Sequence, residues 1–313
     1  MSPQTIAMMF PGQGSQAVGM GRALAEARPE AREIFERADA ALDRPISQMC
    51  FEGPEDTLKQ TVHTQPALYT VSAAAMAVLR AEGIEPAVVA GHSLGEYSAL
   101  HAAGVFEFEA GLKLVAARGQ AMFEAGQERP GTMAALIGLE DDAVADICKA
   151  ASAKGIVVAA NWNCPGQVVI SGEVAGIEEA VRLAQEAGSK RSVMLPVSGA
   201  FHSPLVRSAL DVMQPLLAEV EMNAPRCAFV ANVSAERVDD VEAIRQGLAD
   251  QIVSSVWWAK SVATMTTLGA EAFIEVGSGK VLSGMLRRID KTKKGVPFGA
   301  PDALDAVRAA IAD

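Results

Sequence analysis

The chain has 313 residues, 50% of them hydrophobic and 21% charged, and its 27 basic and 38 acidic side chains leave a formal net charge of −11. A chain about twice the typical domain length, with this apolar fraction, predicts one large or two smaller units burying roughly 75% of the unfolded surface, and excludes disorder as the main state. No apolar run approaches the ~18 residues of a membrane span, Met1-Ser2-Pro3-Gln4-Thr5 carries no basic residue ahead of an apolar stretch as a secretory signal would, and an acidic chain with two Tyr and three Trp lacks the basic, aromatic-laced surface of a nucleic-acid binder.

In chain order, Ala7-Met8-Met9-Phe10 reads as a buried strand that breaks at the loop Pro11-Gly12-Gln13-Gly14-Ser15, with a helix from about Gly19. Ala67 to Arg80 is helical by composition and spacing. Ala87-Val88-Val89-Ala90 is a β-branched run meeting Gly91, and a helix-prone segment follows Gly95. Strands alternating with helices argue for a mostly parallel α/β sheet. The middle of the chain differs. Thr132 to Leu139 is a strand, Asp141 to Ser152 a helix, Ile156 to Asn161 and Gln167 to Ser171 two strands joined by a Pro165-Gly166 turn, Ile177 to Ala187 a helix, and Ser192 to Val197 a strand. That order, βαββαβ, is ferredoxin-like. The expectation is a large α/β unit over 1–127 and 198–313, a small α+β unit inserted over 128–197, and a cleft between them. Cys50, Cys148, Cys164 and Cys227 lie far apart without C-x-x-C pairing, so reduced, mostly buried thiols and a cytoplasmic location are expected. The thirteen Met read as core filling.

Gly91-His92-Ser93-Leu94-Gly95 fits G-x-S-x-G, with a strand before and a helix after it. A chance match is expected roughly 0.1 times in such a chain, before the strand-turn-helix context is required. The tight turn needs small residues on both sides of the Ser, whose hydroxyl then faces the site above a helix N-terminus. The Leu94 amide becomes a natural oxyanion donor.

A Ser nucleophile needs a base, and the chain has four His. His92 adjoins Ser93 and cannot readily fold back on it. His101 lies two turns along the elbow helix and reads as a packing residue. His63 sits in the polar stretch Gln60 to Gln65. His202 lies in Ser198-Gly199-Ala200-Phe201-His202-Ser203-Pro204, where Ser203 is a good N-cap and Pro204 a good first helical residue for a helix over Leu205 to Glu221. A loop between a strand end and a helix displays a base well, so His202 is the candidate. Residues 192–202 contain no acid. That weakens a serine-esterase reading and leaves open a carboxylate elsewhere or a neutral acceptor, such as a backbone carbonyl, to orient the imidazole.

Together with Pro11-Gly12-Gln13-Gly14-Ser15-Gln16, Gly91-His92-Ser93-Leu94-Gly95-Glu96-Tyr97-Ser98-Ala99 and Ala200-Phe201-His202-Ser203, the segments Asn161-Trp162-Asn163-Cys164-Pro165-Gly166 and Glu275-Val276-Gly277-Ser278-Gly279-Lys280 complete a pattern. The chain resembles the bacterial malonyl-CoA:acyl carrier protein transacylases of fatty acid synthesis from about residue 6 to Ile289, with the motifs in family order. The resemblance implies a hydrolase-like core with an inserted ferredoxin-like subdomain, a Ser93–His202 dyad in the cleft, oxyanion amides at Gln13 and Leu94, a substrate-carboxylate arginine at Arg118, and Gln251 as the residue whose main-chain carbonyl orients the His. It also implies malonyl-CoA and an acyl carrier protein as partners, ping-pong transfer through a malonyl-serine, no cofactor and no metal. A monomer is expected. Phe201 before the His is associated in the wider family with malonyl rather than methylmalonyl selection. Trp162, Cys164 and Ser278 depart from commoner residues, which touches fine acyl specificity.

On the residues alone, Arg118 flanks a helix face made of Leu112, Val115, Gly119, Met122 and Phe123, where an Arg ordinarily snorkels to the surface. The resemblance reverses that reading, since a guanidinium fork matches a malonyl carboxylate. Lys280 lacks the full G-x-x-x-x-G-K-[ST] spacing and reads as part of a structural turn. For an acidic carrier protein, the resemblance points to Lys190 with Arg191 and to Arg287, in a run with Arg288, Lys291, Lys293 and Lys294, as docking candidates. A serine esterase or thioesterase, which would gain nothing from Arg118, and a non-catalytic docking factor, which would not need Ser93 and His202, are the competing readings.

Overall fold

A computed structural model of the chain describes residues 5–312, and Met1–Gln4 and Asp313 lie outside it, as does the part of the opening segment read for a signal. Its strands are β1 (Ile6–Phe10), β2 (Val88–Gly91), β3 (Thr132–Ile137), β4 (Val157–Cys164), β5 (Gln167–Gly172), β6 (Arg191–Met194), β7 (Ala228–Phe229), β8 (Ala272–Val276) and β9 (Gly295–Phe298). Five of these form a parallel sheet in the order β7-β2-β1-β8-β9. β1 lies at its centre and is covered on both faces, which explains an apolar run without alternation. Met8 and Phe10 point into one apolar cluster, and Ala7 and Met9 into the other.

The remaining four strands form an antiparallel sheet in the order β4-β5-β3-β6. The helices Asp141–Ala151 and Val174–Glu186 supply Val144, Ile147, Ile177, Ala180 and Ala184 to a core of their own against Ala134, Leu136, Val168 and Ile170. This is the ferredoxin-like arrangement expected, spanning Thr132 to Met194. Its outer strand β4 is tied to the large unit. The Trp162 N–H donates to the Val256 carbonyl at 2.9 Å, the Val256 N–H donates to the Ala160 carbonyl at 2.8 Å, and the Trp162 and Trp257 rings stack 5.1 Å apart.

Among the boundaries that differ from expectation, three belong to helices of the large unit. The first helix begins at Arg22 rather than Gly19, because Gly19 and Gly21 hold left-handed turns with φ of 94° and 76°. The helix expected over Ala67 to Arg80 spans Thr61–Ala81 and runs through Pro66, so His63 lies in its first turns rather than in a polar loop. Pro66 has no N–H to offer the Val62 carbonyl, so the helix runs through it at the loss of one i→i−4 bond. The helix expected over Leu205 to Glu221 opens as a tight turn at Pro204–Val206 and continues as Arg207–Glu219.

Candidate active site

The elbow is built by exclusion of side-chain volume. A Cβ on Gly91 would lie 1.8 Å from the Gly95 carbonyl oxygen, and one on Gly95 would lie 2.0 Å from the Phe10 carbonyl oxygen. Only glycine lets the helix Gly95–Ala102 descend this closely onto β1 and β2. Between them Ser93 is held at φ 53°, a left-handed conformation costing a non-glycine residue about 1–3 kcal/mol. Asn232, just beyond β7, holds it there. Its Oδ1 accepts from the Ser93 N–H at 2.8 Å, and its Nδ2 donates to the Gly91 carbonyl at 2.6 Å.

His202 is brought to Ser93 from the loop after β6. Its own φ is 57°. Its Nε2 lies 2.7 Å from Ser93 Oγ, while Nδ1 lies 2.8 Å from the Gln251 main-chain carbonyl. That carbonyl can only accept, so Nδ1 carries the proton and Nε2 is left to receive one from Ser93. The orienting group is thus neutral. Burial, and secondly the Arg118 charge, depress the imidazole pKa to about 3, so His202 is uncharged at neutral pH. The other histidines are elsewhere: His92 Nε2 pairs with Asn163 Oδ1 at 2.8 Å, and His101 Nδ1 lies 3.2 Å from the Phe106 carbonyl.

Arg118 does not snorkel. It is 1% exposed, in the middle of the long helix Phe108–Glu128, and its guanidinium reaches Ser93. Nη1 donates to Gln65 Oε1 at 2.7 Å, and Nη2 donates to Gln251 Oε1 at 2.7 Å and to Ser93 Oγ at 3.2 Å. The Tyr97 ring lies 5.7 Å beneath the guanidinium carbon. Arg118 has no carboxylate ion-pair partner among the described residues, and its Nε has no hydrogen-bond partner. A buried cation without a direct ion-pair partner, beside a serine hydroxyl, can hold a small anionic group.

The glycine-rich loop after β1 closes the other side. A Cβ on Gly12 would lie 2.3 Å from the His92 carbonyl oxygen, so the loop rests directly on the elbow. Gln13 and Leu94 line the same cleft as Ser93, Arg118, Phe201 and His202. Among the described residues neither the Gln13 nor the Leu94 main-chain N–H donates to a protein acceptor. The site therefore holds a nucleophile, an oriented base, two unused amides and a buried cation.

Residues 8–299 match the family described as an acyl transferase domain. The chain is 42% identical over 301 residues to a "Malonyl CoA-acyl carrier protein transacylase" of Escherichia coli strain K12, covering 96% of this chain and 97% of that protein. An acyl carrier protein S-malonyltransferase from Vibrio cholerae superposes with a TM-score of 0.93 at 44% identity, over 97% of this chain and 100% of that one. A malonyl-transacylase solved in complex with its type II polyketide-synthase acyl-carrier protein superposes with a TM-score of 0.94 at 37% identity, covering 99% of each chain.

The chain belongs to the malonyl-CoA:acyl carrier protein transacylase family of acyl transferases.

In this acyl transferase the docking candidates converge. Lys190 packs beside Gly138, Gly138 donates its N–H to the Gly166 carbonyl at 2.9 Å, and Arg288 donates to the Pro165 carbonyl at 2.9 Å, so the two basic stretches share one edge. Lys190, Arg191 and Arg287 are exposed. Three members of the polar network went unread in the sequence: Gln65, Glu96 and Asn232. Glu96 lies inside the elbow motif itself, and Asn232 interrupts the apolar run Phe229-Val230-Ala231, which is the one local signal it offers. Gln65 ends the polar stretch Gln60 to Gln65, yet it is 1% exposed.

Proposed function

We propose that this acyl transferase moves the malonyl group of malonyl-CoA to the phosphopantetheine thiol of an acyl carrier protein through a malonyl ester on Ser93, supplying fatty acid synthesis. The observation that carries the reading is Arg118, a fully buried cation with no direct ion-pair partner among the described residues, 3.2 Å from the Ser93 hydroxyl. An enzyme acting on uncharged acyl groups gains nothing from it.

His202 Nε2 takes the Ser93 proton as Oγ attacks the thioester carbon. The negative charge that grows on the thioester oxygen is met by the Gln13 and Leu94 N–H groups, donors of a kind worth ~3 kcal/mol each in comparable sites. Collapse of the tetrahedral intermediate breaks the carbon–sulfur bond, and His202 returns the proton to the departing CoA thiol. The carrier thiol then runs the same steps in reverse. Arg118 lowers the basicity of His202 while its charge is unbalanced. A malonyl carboxylate paired with Arg118 offsets that charge and strengthens the base only when the right substrate is seated. The cycle calls for no metal or redox cofactor, because acyl bonds of similar energy are exchanged. We assign the small unit to 128–197, place the cleft between it and the large unit, and take the basic edge at Lys190, Arg191 and Arg287 as the carrier's docking surface. We further assign a monomer, in the cytoplasm, where the four thiols stay reduced.

Intact-mass analysis after separate mixing with malonyl-, methylmalonyl- and acetyl-CoA tests the reading. One malonyl adduct per chain is expected, with methylmalonyl and acetyl adducts minor. Equal labelling by all three would remove the carboxylate argument.

A further inference from the structure

Glu96 is a buried carboxylate that the transfer cycle does not use. It is 2% exposed, in the first turn of the elbow helix. Its two oxygens receive one donor each. The Asn232 main-chain N–H donates to Oε1 at 2.7 Å, and the Gln251 side-chain Nε2 donates to Oε2. Asn232 and Gln251 are the two residues that hold the site: one fixes the strained Ser93, and the other meets both His202 and Arg118.

The Gln251 side chain is the sensitive part. An amide has nearly the same shape either way round, so only its surroundings decide which end faces where. Here Nε2 faces two acceptors, Glu96 Oε2 and the Ser93 carbonyl at 2.9 Å, and Oε1 therefore faces Arg118 Nη2 at 2.7 Å. Turned round, the amide would set a donor against the guanidinium and an acceptor against both a carboxylate and a carbonyl. We propose that Glu96 is a positioning residue that fixes the orientation of the Gln251 amide, so that Arg118 meets an acceptor and is held facing the acyl group on Ser93. The inference rests on the malonyl-transfer reading and adds a residue to it.

Glu96→Gln keeps the shape but brings an NH2 group to a place where both neighbours already donate. No arrangement then satisfies every partner: Gln251 either keeps its orientation with Nε2 pushed off by the new NH2 group, or turns over and sets its own NH2 group against Arg118, and either way the hold on the guanidinium is loosened. For acylation followed as release of CoA, malonyl-CoA KM should rise ~10-fold or more, the scale of one charge-assisted hydrogen bond, while acetyl-CoA kcat/KM changes less than ~3-fold. A second measurement needs no substitution. Burial raises the Glu96 carboxyl pKa to about 7, and protonation places a donor where Gln would. The charged and titratable groups acting on it are Arg118 on the long helix and its neighbour Tyr97, whose own pKa burial lifts to about 12. His202 does not titrate in this window, since its pKa is about 3. In the wild type, malonyl-CoA KM should therefore climb as pH falls through about 7 and level near the Glu96→Gln value, while the variant stays flat. An unchanged malonyl-to-acetyl ratio in Glu96→Gln, an equal loss for both substrates, or a wild-type KM flat from pH 6 to 8 would each overturn the proposal. Arg118→Ala measured in parallel separates the failures. If it changes the ratio and Glu96→Gln does not, the carboxylate site stands without Glu96; if neither does, both readings fall.

Discussion

At the scale of single residues, the site depends on placement rather than on unusual chemistry. Ser93 and His202 both sit at positive φ, and each is held by hydrogen bonds from residues far along the chain. Ser93→Ala should abolish the malonyl adduct in intact-mass analysis, and an adduct that persists or maps to a cysteine would refute the assignment. All four thiols have pKa values raised by burial, which makes them poor competitors. His202→Ala should slow acylation by ~100-fold or more in a single-turnover assay, the usual contribution of a positioned base. Arg118→Ala should reduce malonyl kcat/KM by ~10–100-fold more than acetyl kcat/KM, because a charge-assisted pair in a cleft is lost for the first substrate only. Equal losses would make Arg118 a packing residue.

Between residue and fold, the elements meet through glycine. Gly12, Gly91 and Gly95 lie where the glycine-rich loop after β1, the end of β2 and the elbow helix come within contact distance of one another's backbone. Gly95→Ala puts a methyl group 2.0 Å from the Phe10 carbonyl, with backbone on both sides and no side chain to yield. Urea unfolding should show a loss of about 3 kcal/mol or more, or no folded protein at all, as overpacking against rigid backbone does. A variant of normal stability would mean that the helix can lift from the sheet. The G-x-S-x-G pattern was legible in the sequence for this reason: backbone contact admits one residue type, and that restriction is written locally. The start of the first helix and the continuation of a helix through Pro66 were less legible, because turn geometry and packing outweighed composition there.

Over the whole molecule, charge sets two expectations. Burial lowers the pKa of all four histidines, that of His101 to about 4 and that of His202 to about 3, against 6.5 when unfolded. As pH falls below 6.5 the unfolded chain takes up protons on these groups that the fold refuses, so stability is lost on acidification. Glu96 acts in the opposite sense between 4.5 and about 7, where the fold binds the extra proton, but it is one group against four histidines. The urea midpoint should fall steadily from pH 6.5 to 4.5, by the equivalent of about 1.4 kcal/mol per pH unit for each unbalanced proton. A flat profile would mean the histidines are not held neutral. The second expectation concerns docking. The chain carries −11 overall, so an acidic carrier protein must approach by a local basic patch. Lys190, Arg191 and Arg287 form no ion pair among the described residues. Reversing the three to Glu should raise KM for the carrier and flatten its salt dependence, with the malonyl-CoA half-reaction changed much less. A carrier KM indifferent to salt and to the triple variant would leave the basic edge a solubilising surface.

The sequence by itself determined the local geometry: a parallel sheet with a ferredoxin-like insertion from hydrophobic period and turn residues, the candidate nucleophile from two obligatory glycines, and the candidate base from the one His displayed between a strand end and a helix cap. It also carried the family pattern that implied roles for Gln13, Leu94, Arg118 and Gln251. Only the tertiary structure decided the environment of these groups. Arg118 lies on a helix whose pattern suits a surface cation, and its burial follows from Gln65 and Gln251, 53 and 133 residues away in sequence, closing over it. Glu96 looks like an ordinary first-turn acid until Asn232 and Gln251 arrive with their donors. Periodicity and steric restriction act between near neighbours and so are written in the order of residues, whereas desolvation and hydrogen-bond satisfaction depend on what the folded chain brings alongside.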